Sequence, residues 1–301
     1  MSDAVPHVTV VILTCNRLAW LERLLVALEK QKTGEKFTHS VRVVDNDPAQ
    51  SARQLLERRA PTAKIEAVCD CEAEKNLPKL RNMGAVNSRG DFVAYIDDDE
   101  FPVDDWLYLL METCAKYEAD GVLGPVRPHF ENPPPDWIVQ SAVCDRPVHP
   151  TGMVLNFDQT RTGNTLLRRS LFDIPENLFD ASFEMHGEDR DFFKRLINKG
   201  HKFIWCEEAA AYETQPARRC SRAYHIRRAL LRGSISWRHV PGKGAMLIKT
   251  LTAFGIYTCL LPFLLLAGQG RFMKYFVKNC DHFGRLLAAC GLQMERFIKT
   301  P

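Results

Sequence analysis

Residues Val8, Thr9, Val10, Val11, Ile12, Leu13 and Thr14 form a nearly unbroken β-branched run, the pattern of a parallel strand buried on both faces. Asn16 and Arg17 turn the chain, after which Leu18, Leu21, Leu24, Leu25 and Leu28 recur at helical spacing. The strand signal returns at Val41-Arg42-Val43-Val44 and stops at the turn cluster Asp45-Asn46-Asp47-Pro48. A helix over 49–59, a short strand over 65–68 and a helix with Pro78 in its first turn follow. Proline is harmless there because that turn's N–H groups have no intrahelical partner. Residues 92–96 (FVAYI) make a further strand. This alternation predicts an α/β fold whose mostly parallel central sheet is flanked by helices and joined by right-handed crossovers. Thr14, Asn16, Asp45, Asp47 and Asp97 to Asp99 then end consecutive strands, and one crevice collects them.

The last strand runs into four consecutive carboxylates, Asp97-Asp98-Asp99-Glu100. Like charges at a strand end repel one another, and a divalent cation such as Mg²⁺ or Mn²⁺ removes the conflict by taking carboxylate oxygen. A solvated acidic turn is the alternative. Further along, Gly187-Glu188-Asp189 opens a helix whose Phe192, Phe193, Leu196 and Ile197 share one face. Carboxylates in a first turn suit the helix dipole, so ordinary charge placement competes with a carboxylate pair able to accept a proton.

Five separated motifs resemble those of family 2 glycosyltransferases, in order and approximate spacing over residues 7–215. They are Thr14-Cys15-Asn16-Arg17, Val43-Val44-Asp45-Asn46-Asp47, Arg81-Asn82, Asp97-Asp98-Asp99-Glu100 and Gly187-Glu188-Asp189. Finer details are similar to the succinoglycan-type glucosyltransferases of bacterial exopolysaccharide assembly. These details are Pro48 after Asp47, Pro102 and Trp106 after Glu100, and the segment 162–169 (TGNTLLRR). The resemblance implies a GT-A fold and an inverting enzyme that moves a hexose, glucose foremost, from a UDP-sugar to a lipid-linked oligosaccharide or other glycan.

Roles carry over on the same terms. Asp45 would accept from the uracil N3–H, with Asp47 in the same turn, while Thr14, Asn16 and Arg17 line the base. Asp97 and Asp98 would contact the ribose or the metal's water shell, and Asp99 would ligate Mg²⁺ or Mn²⁺. Arg81 would lie near the diphosphate or sugar. Asp189 would be the catalytic base, with Glu188 beside it binding acceptor or sugar. The histidine that many GT-A enzymes offer the metal after the strand following the catalytic helix is replaced here by Ala209-Ala210-Ala211-Tyr212-Glu213. Glu213 either substitutes for it or pairs with Arg218 or Arg219. His186, before the proposed base, is assigned a local structural role. Trp137 either stacks on a sugar or anchors a core, within an irregular stretch over 124–160, and Gly163-Asn164 is expected at the acceptor floor.

At 301 residues and 46% hydrophobic content, the chain can bury one large core and an appendage. The polar start at 2–7 and ten cysteines suit a reducing cytoplasm. Cys69-x-Cys71 is the tight cysteine pair, and zinc is not expected there because no second pair of ligands accompanies it. The net charge of +3 hides a segregation: residues 214–280 hold twelve Lys and Arg and no acid, so the remainder carries −9. Within that basic segment, residues 251–270 bear no formal charge, enough length to cross a bilayer. Gly255, Pro262, Gly268 and Gly270 interrupt it and basic residues flank both sides, which predicts a re-entrant or interface-lying helical pair on anionic lipid. A single span and a packed soluble helical domain are the alternatives.

The expected organisation is therefore a catalytic domain over 1–215 and a membrane-associating helical region over 216–301, at the cytoplasmic face of the inner membrane. Nucleic acid is not an expected partner, since no recognition module accompanies the basic charge. Two other classes compete with the glycosyltransferase. Against a nucleotidyltransferase of the same fold, no Gly-rich, Lys/Arg-bearing loop follows the first strand here, and a non-catalytic lipid-binding relative would not need both carboxylate groups.

Overall fold

A computed structural model of the chain describes residues 5–183, 187–238, 242–292 and 294; His186 lies outside them. The elements in order are β1 (His7–Thr14), α1 (Leu18–Leu28), β2 (Thr38–Asp45), α2 (Ser51–Arg59), β3 (Ala67–Cys71), α3 (Leu77–Val86), β4 (Phe92–Tyr95), β5 (Glu100–Pro102), α4 (Trp106–Lys116), β6 (Gly121–Leu123), β7 (Val126–His129), α5 (Asp136–Ser141), β8 (Thr165–Arg168), α6 (Glu188–Asn198), β9 (Phe203–Trp205), β10 (Ala211–Thr214), α7 (Arg222–Arg238), α8 (Lys243–Leu266) and α9 (Gln269–Ala289).

The main sheet has the order β3-β2-β1-β4-β8-β6-β9. Strands β3, β2, β1 and β4 pair in parallel, and β6 is parallel to β9. Strand β8 runs against both β4 and β6, so the sheet is parallel except for that one strand. The continuous apolar runs are explained by cover on both faces. Val8, Val10 and Ile12 pack with Leu21, Leu24, Leu28 and Trp106 on one side. Val11, Val44 and Val93 pack with Leu80, Phe192, Phe193 and Leu196 on the other. Asn76 caps α3 by accepting from the Lys79 N–H at 3.1 Å, with Pro78 in the first turn. A second, three-stranded sheet has the order β5-β10-β7, with β5 and β10 antiparallel.

Three local expectations are corrected. Strand β3 begins two residues later than expected, because in-register pairing with β2 extends it to Cys71, opposite Asp45. The stretch over 124–160 contains β7 and α5. The uncharged stretch is not broken at Gly255 or Pro262: α8 is one continuous 24-residue helix that ends before Gly268. Proline removes one N–H from a helix that has many others, so it weakens the turn without ending it.

The chain divides into two compact units, residues 1–127 with 146–213 and residues 128–145 with 214–301. Both sheet-covering cores belong to the first. The second has its own core of Trp137, Ile138, Ala229, Met273, Val277 and Cys280. Trp137 is buried there, edge-on to His225, which supports the anchoring reading of this residue. Helices α7 and α9 meet backbone to backbone: a Cβ on Gly233 would lie 2.1 Å from the Asp281 carbonyl oxygen, and one on Gly284 would lie 2.2 Å from that of Leu230. Helix α8 is the one helix among the described residues long and apolar enough to cross a membrane, and Thr250 is its one buried residue.

Candidate active site

The carboxyl ends of β2, β1 and β4 lie side by side. Thr14 is register partner to Asp45, and the Asn46 N–H donates to the Thr14 carbonyl at 2.8 Å. Asn16 is exposed and holds φ +55° in the loop after β1, a conformation that asparagine tolerates better than most residues. Asp45 is fully buried. Its Oδ1 accepts the Asp47 N–H at 2.9 Å and its Oδ2 accepts the Ala52 N–H at 2.8 Å, so it builds the turn into α2. Asp47 repeats the device outward by accepting the Ala49 N–H at 3.0 Å. Each Asp45 oxygen keeps a second lone pair for another donor.

Beyond β4 the acidic run turns back into β5. Asp98 is tied to the loop after β1: Thr14 Oγ1 donates to its Oδ2 at 2.8 Å and Arg17 Nη1 to its Oδ1 at 2.9 Å. Arg17 also lies 3.6 Å from Asp99. Asp97 is crowded by protein yet open to solvent at its surface. That crowding first, and the charge of Asp99 second, push its carboxyl upward; the open surface keeps the effect below that of a sealed carboxyl. Glu100 is buried with no hydrogen-bond partner for Oε1. Burial and then Asp97 push its carboxyl well up. Glu100 sits opposite Glu213 across β5 and β10. Arg146 donates to Glu213 at 2.6 Å, so the structure supplies Glu213 with a partner that sequence reading did not propose.

Part of a cation's donor set is in place here. A Cβ on Gly163 would lie 3.3 Å from Asp97 Oδ2 and 3.4 Å from Glu100 Oε1, so both oxygens line one small space. All the donors are carboxylate oxygens, one of them buried and unpartnered, which suits a hard ion such as Mg²⁺ or Mn²⁺.

Helix α6 begins at Gly187, whose φ of +96° favours glycine. Glu188 and Asp189 are in its first turn, and both meet Arg81 of α3. Arg81 Nη1 donates to Glu188 Oε1, and to Asp189 Oδ1 at 2.5 Å. Asp189 Oδ2 accepts from the Thr162 N–H at 3.2 Å and the Thr162 hydroxyl at 3.1 Å. Burial alone would raise the Asp189 carboxyl, but the Arg81 charge and these bonds outweigh it and hold it below its usual range. Glu188 goes the other way. Burial and then the Asp189 charge push it up to about 7, against a smaller opposing pull from Arg81. Neighbouring carboxyls driven apart in this way assign the proton to Glu188 and the negative charge to Asp189.

The structure thus gathers Thr14, Arg17, Asp98 and Asp99 in one cluster, joins Arg81 to Glu188 and Asp189 in another, and sets Asp45 and Asp47 beside the first. Thr162 and Arg146 were not singled out from sequence as site residues, and the pairing of Glu100 with Glu213 across β5 and β10 was not foreseen. Asn164 is a correction. It is wholly buried, accepts from the Trp106 indole N–H at 2.6 Å and donates to the carbonyls of Pro125 and Ala209 at 2.8 Å each. It therefore fastens loops together instead of facing an acceptor.

Residues 9–196 match the family described as Glycosyl transferase family 2. The chain is 32% identical over 247 residues to the succinoglycan biosynthesis protein ExoM of Rhizobium meliloti, covering 81% of this chain and 78% of that protein. Among solved structures it resembles S. aureus TarS residues 1–349 in complex with UDP-GlcNAc, with TM-score 0.54, 14% identity and coverage of 95% of this chain and 92% of that one. The longer TarS chain matches with TM-score 0.53 and 15% identity over 93% of this chain, which spans 54% of its length. At such identity the likeness concerns the fold, an α/β GT-A-like arrangement.

Proposed function

This chain belongs to glycosyl transferase family 2, and we propose that it is an inverting hexosyltransferase using a UDP-sugar, glucose being the expected sugar, to extend a lipid-linked glycan in bacterial surface or exopolysaccharide assembly. The observation that carries the proposal is the ionised Asp189, locked by Arg81 and Thr162 in the same unit as the carboxylate turn. The kinship with a succinoglycan biosynthesis protein supports the pathway class, and the TarS complexes with UDP and UDP-GlcNAc support the donor class.

On this proposal Thr14, Asn16, Arg17, Asp45 and Asp47 form the nucleotide end of the cleft. The free lone pairs of Asp45 accept the base N–H. Asp99 would ligate a divalent ion, with Asp97 and Glu100 beside it and Asp98 fixed by Thr14 and Arg17 behind them. When bound, that ion offsets the charge that develops on the departing diphosphate. Asp189 takes the proton of the acceptor hydroxyl as that oxygen attacks the anomeric carbon opposite the leaving group, which inverts the centre. Arg81 keeps Asp189 ionised and aimed. Glu188, neutral until the pH rises past about 7, holds a proton beside it and can donate to a sugar or acceptor oxygen. Residues 1–215 carry this chemistry, while residues 216–301 attach the enzyme to anionic lipid at the cytoplasmic face. Lys243, Lys249, Arg271, Lys274 and Lys278 are exposed around α8 for that purpose.

A panel of UDP-sugars tests the proposal, with UDP release followed in Mg²⁺ or Mn²⁺ and binding followed by calorimetry. One UDP-hexose is expected to release UDP only with the metal present, and Asp99→Asn is expected to lose that metal dependence. Absence of any UDP-sugar binding in either metal refutes the donor assignment, and unchanged metal dependence in the variant removes Asp99 from the metal site.

A further inference from the structure

Strand pairing creates a second set of ligands, chemically unlike the carboxylate turn. Cys69 and Cys71 are two residues apart on β3, so their side chains leave the same face of the sheet. Asp45 on β2 is the register partner of Cys71. Parallel neighbours in register point the same way, so a carboxylate joins two thiols on one face. One ligand atom from each of the three residues lies within 4.8 Å of the other two. The absence of a second cysteine pair, which argues against zinc from the sequence, overlooks this carboxylate from a distant segment.

The spacing suits a tetrahedral ion. Two Zn–S bonds of about 2.3 Å at a tetrahedral angle hold their sulfurs about 3.8 Å apart, and here the sulfurs are 4.0 Å apart. Both cysteines are half-buried, so an ion can enter from the thiol side while Asp45 closes the inner side. The two backbone N–H groups on Asp45 fix its carboxylate in place, as hydrogen bonds to metal-ligating carboxylates commonly do. We propose that Asp45, Cys69 and Cys71 form a binding site for a thiophilic d¹⁰ divalent cation, zinc being the physiological representative, with a fourth position open to water. Sulfur ligands separate this site from the oxygen-only set at Asp97, Asp99 and Glu100, so the two select different ions.

The site has a consequence for donor binding, and this part rests on the role proposed above for Asp45. The lone pairs that would accept the base N–H are those a metal would take. Zinc and nucleotide then exclude one another at the end of β2, and the ion acts as an inhibitor competitive with the donor. Without metal the Cys69 thiol is a poor nucleophile, because burial and then the neighbouring Cys71 push it up to about 12. A coordinating cation displaces the thiol protons to solvent as the sulfurs become thiolates.

Cadmium is the probe, added to the full-length protein kept reduced by a phosphine and followed by thiolate-to-cadmium charge-transfer absorption in the ultraviolet. One tight equivalent that produces the band is expected, and both Cys69→Ser and Cys71→Ser should abolish it. UDP at ten times its own Kd should weaken the apparent cadmium affinity about tenfold, by mass action between exclusive ligands. A wild-type protein with no band, or a band that survives both substitutions, overturns the site. A cadmium titration indifferent to UDP overturns the exclusion. Because UDP binding is measured separately by calorimetry, failure of the donor assignment would appear as absent UDP binding with the cadmium site intact.

Discussion

Replacing Arg81 by methionine keeps much of the side chain's length and removes its charge. The guanidinium is buried and its Nη1 serves two carboxylates, Glu188 and Asp189. Removing one partner from a buried ion pair costs about 3–5 kcal/mol, because the remaining charge is left uncompensated. Glu188 is only 4% exposed at its side chain, but Asp189 is 28% exposed and water recovers part of its loss, so the lower end, about 3 kcal/mol, is expected. For a unit of this size that corresponds to a fall in Tm of roughly 6–12 °C. The deficit should depend on pH. With its carboxyl raised to about 7, Glu188 contributes stability that is fully present below its unfolded pKa of 4.5 and lost as pH rises through about 7. Asp189, lowered when folded, contributes stability above 3.8 that is lost as pH falls through its folded value. Without Arg81 both carboxyls move upward, so at pH 5.5 Glu188 keeps its proton and Asp189 takes one more readily, which relieves the uncompensated charge, whereas at pH 8 it persists. Thermal unfolding of wild type and Arg81→Met at the two pH values should therefore give the larger difference at pH 8. A difference below about 1 kcal/mol at pH 8, or one of equal size at both, would refute the clamp between α3 and α6.

Asp189→Asn should lower kcat by at least about a hundredfold, the scale of a lost general base, with UDP affinity unchanged by calorimetry; collapse of that affinity would move the residue to the donor site. Wild-type protein should sediment with anionic vesicles and be only partly stripped by high salt, since salt screens the basic residues but not the apolar contact. The paired substitution Ile256→Asp and Phe263→Asp on the exposed surface of α8 should abolish sedimentation. Wild-type protein that stays in the supernatant at low salt would remove the membrane assignment.

Strands β1, β2 and β4 were legible because burial on both faces demands unbroken apolar runs, and α1 because its leucines keep helical spacing. Strand β3 was misplaced for a physical reason. Asp70 is of a type depleted in strands and breaks the apolar run, and pairing with β2 decides the conformation of residues 69–71. The antiparallel insertion of β8 could not be read, since a four-residue strand shows no direction in its own sequence. The carboxylate turn and the pair at 188–189 were visible as charge patterns at element ends. Their partners were not: Arg146 and Glu213 are 67 residues apart, Arg81 and Asp189 are 108 apart, and only the folded sheet brings such residues into contact. Pro262 misled for the opposite reason, because its local penalty is real but small against the rest of a 24-residue helix.

The second unit is assembled from two pieces of chain, residues 128–145 and 214–301, and this orders events during synthesis. Trp137 and Ile138 leave the ribosome long before Met273 and Val277, their core partners. At about 5–20 residues per second, the interval between residue 145 and the end of α9 is roughly 7–29 s. Once residue 213 has emerged, the first unit can close around its own sheet while the segment it excludes stays bare until α9 follows, with an indole and aliphatic side chains uncovered. The nascent chain therefore carries a sticky loop protruding from an otherwise finished body, a natural landing place for a chaperone or for the lipid surface itself. Substitutions that destabilise α9 should consequently first reduce the yield of soluble protein from the cell, before any loss of specific activity in the molecules that complete folding.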